Sequence, residues 1–225
     1  MTIPFQVASK LNIKRKNWKW LFGIPRDLKN RALYGQSAPR YAERIWVQPA
    51  KCNGVLIISF LISRFNSGLV VSRFPPDENT CITSLDAVLK IDACLEHWLK
   101  GTPWKNTSFF REKLKIIHDR GSFKGCRTEQ ELVDSWAKYD QMYVAMQKEG
   151  RLKTRREMNP WSFREEGGIV AHIGPNGEWY HGNAGNRRLA MSLCLGFEKI
   201  PAMLGYVHKD GIKHLGRYRS GDTYV

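Results

Sequence analysis

The last third of the chain is punctuated so tightly that few folds can accommodate it. Residues 169–173 (Ile-Val-Ala-His-Ile) read as a strand, Gly174-Pro175-Asn176-Gly177 as a turn, and residues 178–181 as the returning strand. A glycine-rich loop, Gly182-Asn183-Ala184-Gly185, leads into a helix over 186–195 that Gly196 stops, and residues 199–208 read as a final strand. The expected buried face of that helix is Leu189, Ala190, Leu193 and Cys194. Strands alternating with a helix in so short a span predict an α/β (α+β) class.

The first turn of the 186–195 helix offers free N–H groups and the positive end of the helix dipole, a ready anion site. Arg187 and Arg188 stand at that turn, and guanidinium forks match phosphate oxygens. Asn186 can cap the helix or meet a ligand, and nothing acidic lies between His181 and Glu198. The competing reading is a plain helix start with two solvated arginines.

Upstream, residues 43–48 read as a short strand before Pro49. Residues 55–62 and 69–74 read as β runs joined by a hairpin turn at Asn66-Ser67-Gly68, and 75–79 as a loop. The apolar run 55–62 is about half of what a membrane-spanning helix needs. The middle is helical: a helix capped at Thr83 or Ser84 and ending by Gly101, a second from Thr107 to Gly121, and a third opened by a Thr128-x-x-Glu131 capping box. The third carries Leu132, Trp136, Tyr139, Tyr143 and Met146 as one apolar stripe, read as core, with Gly150 at its C-terminus. A mainly helical N-terminal half (residues 1–127) with a small β element, followed by a domain over 128–225, is the expected organisation.

The formal charge is +15. Such a field attracts nucleic acid, nucleotides or another polyanion, and equally fits a protein that is merely basic. Residues 1–50 hold ten Lys/Arg against Asp27 and Glu43, with Trp18, Trp20 and Phe22 interleaved. Aromatics among lysines can stack on bases, or pack the arm onto the domain. Five widely spaced cysteines, with no CxxC pair, suggest neither a disulfide framework nor a zinc site. With no secretory h-region visible, a cytoplasmic location is expected.

Residues 180–208 resemble the core of the ParB/sulfiredoxin superfamily. There a strand leads to a G-[ECN]-[RH]-R tetrapeptide, a short helix, a glycine and an Ile-Pro strand. Here Gly185-Asn186-Arg187-Arg188, Ala190, Gly196 and Ile200-Pro201 stand at those places. Residues 142–154 look like the family's helix-Gly-loop element, so the likeness spans about 128–208. It also resembles a bacterial and archaeal branch in which Gly-Asn-His-Arg and a histidine closing the strand recur; His208 stands there.

The resemblance implies phosphate binding by Gly185, Asn186, Arg187 and Arg188, with Asn183, His181, Lys153 and Thr154 near the nucleotide and His208 as a possible substrate contact. It implies ATP or CTP, usually with Mg²⁺, and a phosphotransferase or nucleotide hydrolase acting on a polar substrate. Departures narrow this. Asn186 replaces the cysteine that sulfinic acid reduction requires. No Glu-Asn-x-x-Arg motif or helix-turn-helix follows His208, against a DNA-partitioning clamp. The kinase branch's acidic residue has no clear counterpart, so no catalytic base is assigned. A second reading is a non-catalytic nucleic-acid-binding protein using its basic surface; a third is a superfamily member whose loop only stabilises the fold. His172 and His181 could meet a ligand or metal, but single strand histidines are more often structural, and no metal site is expected. Cys126 beside Lys124 reads as reactive or as a plain thiol.

Overall fold

The computed structural model describes residues 23–57, 65–76 and 80–220. The basic arm with Trp18 and Trp20, residues 58–62 of the expected second strand, and 77–79 of the expected loop lie outside the described residues.

The described elements fall into two compact units. One takes its residues from Met1–Ser84, Lys153–Gly185 and Glu198–Val225, the other from Leu85–Leu152 and Asn186–Phe197. The sequence expectation has a single cut after residue 127, whereas this division is discontinuous.

The first unit is built on a mixed sheet, which bears out the α/β class. Its strands are β1 (Arg44–Val47), β2 (Cys52–Ile57), β3 (Val70–Val71), β4 (Cys81–Thr83), β5 (Ile169–Ile173), β6 (Trp179–His181) and β7 (Ile200–His208). They run in the order β1-β7-β5-β6-β2-β4, with β3 also on β7. β5 and β7 are parallel neighbours, buried along their whole length, and read accordingly as near-continuous apolar runs. β5 and β6 form the expected hairpin, with Ala171 opposite His181 and Ile173 opposite Trp179.

The hairpin expected across Asn66-Ser67-Gly68 does not form. β3 lies parallel on β7, and β2 pairs with β4 and β6. The Asn66–Gly68 segment is instead pinned to β7. Gly68 N–H donates to Gly205 O (2.8 Å), Ser67 Oγ donates to Leu204 O, and Asn66 Nδ2 donates to the Tyr206 hydroxyl (2.8 Å). β1 and β3 thus occupy successive stretches of one edge of β7. Helix α1 (Ile24–Tyr34) supplies Arg26, whose guanidinium donates to Phe65 O and Ser67 O at 2.7 and 2.8 Å.

The second unit is helical: α2 (Leu89–Lys100), α3 (Ser108–Arg120), α4 (Glu129–Glu149) and α6 (Asn186–Cys194), α5 (Arg155–Met158) belonging to the sheet unit. α2 does not start at Thr83 or Ser84. Thr83 closes β4, and the helix begins after Val88 without a side-chain cap. α3 has the expected limits: Thr107 Oγ1 accepts from Phe110 N–H, and Gly121 takes the left-handed conformation. At α4 Thr128 accepts from Glu131 N–H, but the Glu131 carboxylate turns to the Arg127 amide (2.6 Å) instead of closing the box on Thr128.

The core of this unit is a ring lattice. Trp136 meets Trp104 edge-on (5.1 Å between centroids), stacks on Phe109 (5.5 Å) and meets Phe110 edge-on (5.3 Å). Asp140 accepts from Trp98 Nε1 (3.0 Å) and from the buried Trp104 Nε1 (3.0 Å), and lies 3.1 Å from His97 Nε2. On α6 the buried residues are Asn186, Leu189, Ala190, Met191 and Ser192, while the expected Leu193 and Cys194 are half-buried. Ser192 is tolerated inside because its hydroxyl donates to Arg188 O one turn back (2.8 Å). Among the described residues no helix is long and apolar enough to cross a membrane.

Candidate anion site

In the helical unit a cavity of about 290 Å³ opens beside Trp136. Its cations come from four elements and one loop: Lys90 on α2, Lys113 on α3, Lys124 between helices, Lys138 on α4 and Arg187 at the first turn of α6. Each lies over an aromatic ring. Arg187 Cζ is 3.9 Å from the centre of Tyr139 and 5.6 Å from that of Trp136. Lys113 Nζ is 4.6 Å from Phe109 and 5.5 Å from Phe123, Lys90 is 5.8 Å from Phe109, Lys124 5.6 Å from Phe123, and Lys138 5.5 Å from Tyr139.

A ring face attracts a cation through its quadrupole but leaves the positive charge uncancelled. Among the described residues no carboxylate lines the cavity. Lys113 does pair with the exposed Glu112 (2.6 Å). The electrostatic result is visible at Lys90: burial, then the charges of Arg187, Lys124 and Lys113, push its ammonium below the usual lysine range. A group of cations that disfavour one another's charge is one that an anion would relieve.

The expected phosphate residues are divided between the units. The loop turns as anticipated, with Asn183 at φ 53° and Gly185 at φ 81°. Of the expected set, Arg187 lines the helical unit's cavity and Arg188 does not; consecutive helix positions diverge by about 100°. Asn186 is the buried first residue of α6.

In the sheet unit, Thr154 is the N-cap of α5. Its hydroxyl accepts from Glu157 N–H (3.2 Å), and the Glu157 carboxylate accepts from both the Thr154 amide and hydroxyl (2.8 Å each), a complete capping box. Lys153 is the half-buried residue before it. His208 is 7% exposed; its Nδ1 accepts from Asp210 N–H (3.2 Å), which leaves Nε2 to donate to Ser72 O (2.9 Å).

His181 and His172 are wholly buried in the sheet. His172 Nδ1 accepts from Tyr206 N–H (2.8 Å), its ring stacks on Tyr206 (5.3 Å), and burial followed by the nearby His181 pushes its pKa down to about 3. Its place exists only because the facing positions are glycines. A Cβ at Gly182 would sit 2.5 Å from Nε2, and one at Gly205 2.4 Å from Nδ1.

Among the described residues no group of three or more His, Cys, Asp or Glu is placed to hold a metal. All five cysteines are free thiols. Burial pushes Cys94 up to about 12 and Cys52 and Cys194 up to about 11. Cys126 is buried with its thiol directed to Glu131 O (3.6 Å), which favours the plain-thiol reading.

The sequence reading missed Lys90, Lys113 and Lys138, and took Trp136 and Tyr139 as core alone. Trp136 is core, at 3% exposed, yet both rings also face the cavity. The available signal was adjacency: Phe123-Lys124 and Lys138-Tyr139 each place a cation directly beside a ring. Compared with family models, with curated proteins and with solved structures, the chain gives no match.

Proposed function

We propose that the helical unit binds the phosphates of a nucleotide, ATP or CTP, in the cavity around Arg187. The observation that carries this reading is the set of five ring-supported cations with no lining carboxylate. Phosphate oxygens would take charge-assisted hydrogen bonds from Arg187 and the lysines. The aromatic faces and the small volume suit a compact ligand at the low end of binding-site sizes. The donor set fits a phosphate and not a bare metal ion, so Mg²⁺ would arrive on the nucleotide.

Membership of the ParB/sulfiredoxin superfamily, and a phosphotransferase or nucleotide hydrolase step on a polar substrate, remain proposals that rest on the tetrapeptide and its flanking Ile-Pro strand. Free thiols suit a reducing compartment, and a cytoplasmic location is part of the proposal.

Titration calorimetry with ATP and CTP, with and without Mg²⁺, tests the reading. Loss of one charge-assisted bond predicts that Arg187→Ala weakens binding about ten-fold or more. Arg188→Ala, which removes a residue outside the cavity lining, is expected to weaken it less. No binding by either nucleotide, or binding indifferent to Arg187, overturns the proposal.

A further inference from the structure

The sheet unit carries a second cationic surface, separate in residues from the Arg187 cavity, along its β1 edge. A cavity of about 370 Å³ is lined by five arginines, Arg40, Arg44, Arg156, Arg164 and Arg219, together with Glu43 and Trp46. A cavity of about 320 Å³ on the same unit is lined by Lys51, Lys199 and Arg217, with Glu178. Trp46 lines both.

Three of the five arginines have structural duties. Arg219 holds the buried Glu43 through Nε (2.7 Å) and Nη2 (3.2 Å), Arg40 reaches the same carboxylate at 3.4 Å, and Arg164 pairs with Asp27 (2.7 Å). Arg44 and Arg156 are exposed and have no carboxylate partner among the described residues; Arg44 Cζ lies 5.9 Å from the Trp46 ring. Among the described residues the two linings hold eight cations and two carboxylates, Glu43 and Glu178. Unsatisfied guanidinium forks beside a half-buried indole supply phosphate donors and a base-stacking face together. Trp161, five residues beyond Arg156, is 93% exposed and within about 18 Å of it by chain length, so it offers a second stacking face.

We propose that the β1 edge of the sheet unit binds single-stranded nucleic acid, its phosphates tracking the two cavities and its bases stacking at Trp46 and Trp161. Chain separation favours a single strand over a duplex, because paired bases are stacked on one another and cannot reach an indole. The surface would be independent of nucleotide binding at Arg187.

The test is fluorescence anisotropy of the full chain with labelled twelve-residue dT and U oligonucleotides, titrated in rising salt. The expected log Kd rises linearly with log salt, by about 0.7 per phosphate neutralised. Arg44→Gln with Arg156→Gln should weaken binding about ten-fold or more at low salt and lower that slope by about 1.4. Those two residues hold no carboxylate partner among the described residues, so the variant is expected to melt like the parent. Trp161→Ala should weaken binding about five-fold or more. Arg187→Ala should leave it unchanged, which separates failure here from failure of the nucleotide reading. The dT and U arms distinguish DNA from RNA. The proposal is overturned if the double variant binds as tightly as the parent, if a duplex of the same sequence binds better, or if inorganic polyphosphate competes equally well while Trp161→Ala changes nothing.

Discussion

The two units use positive charge in opposite ways. In the sheet unit several arginines are consumed by carboxylates and carbonyls: Arg26 by Phe65 O and Ser67 O, Arg164 by Asp27 and Tyr41 O, Arg219 by Glu43 and Ala38 O. They clip chain segments together that are far apart in sequence. In the helical unit the cations at the Arg187 cavity lie over rings, and apart from Lys113, which also pairs with Glu112, their charge stays on offer. What a cation rests on therefore separates fastening from recognition: an acid or carbonyl ends its search for a partner, and a ring does not. Arg44, over the Trp46 ring, follows the second pattern within the first unit.

The contrast extends to how each interior is satisfied, and substitution can break it. The largest effect is expected at Trp136, the hub of the ring lattice. Trp136→Ala should cost about 3–5 kcal/mol in denaturant unfolding followed by circular dichroism. A loss under about 1 kcal/mol would mean that the lattice is not the core of the helical unit.

Next is the buried imidazole of the sheet unit. His172 is held neutral, with a folded pKa of about 3 against 6.5 for a free histidine. The unfolded chain therefore binds the extra proton first. Stability is complete above about pH 6.5 and falls as pH drops towards 3, with a slope approaching about 1.4 kcal/mol per pH unit. His172→Asn, which keeps an acceptor for Tyr206 N–H and does not titrate, should flatten that slope in unfolding experiments run across pH. An unchanged slope would assign the acid sensitivity elsewhere.

Smaller is the loss at Asp140, the acceptor for two indole N–H groups and the neighbour of His97 Nε2. Asp140→Ala should cost about 2 kcal/mol, and Asp140→Asn less, because one acceptor oxygen remains. Equal losses would show that charge and not hydrogen bonding matters there. Smallest is the helix cap: Thr107→Ala should cost about 1 kcal/mol by thermal unfolding, and Thr107→Ser almost nothing.

Elements whose signals are local were legible in the sequence. The Thr107 cap and Gly121 stop bound α3 as expected, and the Gly174–Gly177 turn sets the β5–β6 hairpin. What local periodicity does not encode is the pairing partner. The run at 69–74 reads as half of a hairpin, yet its strand lies on β7, more than 130 residues away, because Gly68 and Leu69 exchange hydrogen bonds with Gly205 and Val207. Thr83 reads as a helix cap for the same reason; only its pairing with Val55 makes it a strand end.

The site was legible in part. The reading found Arg187 through the phosphate chemistry of a helix start, but its companions come from α2, α3 and α4, and only tertiary packing assembles them. Thr154 was singled out by its place in a family pattern. The Thr154-x-x-Glu157 spacing, the same signal recognised at Thr128, describes what its hydroxyl does.

The glycine bracket around His172 has a consequence for how this sequence can drift. Positions 172 on β5, 205 on β7 and 182 just after β6 crowd one volume, so the fitness of any residue at one depends on the other two. Single replacements of either glycine are blocked while the imidazole remains; shrinking the imidazole first relieves position 205, whereas a Cβ at 182 must also displace Val170, whose Cγ1 would lie 2.6 Å away. The trio should therefore change in a fixed order or not at all, and a double-mutant cycle across it should show strong non-additivity.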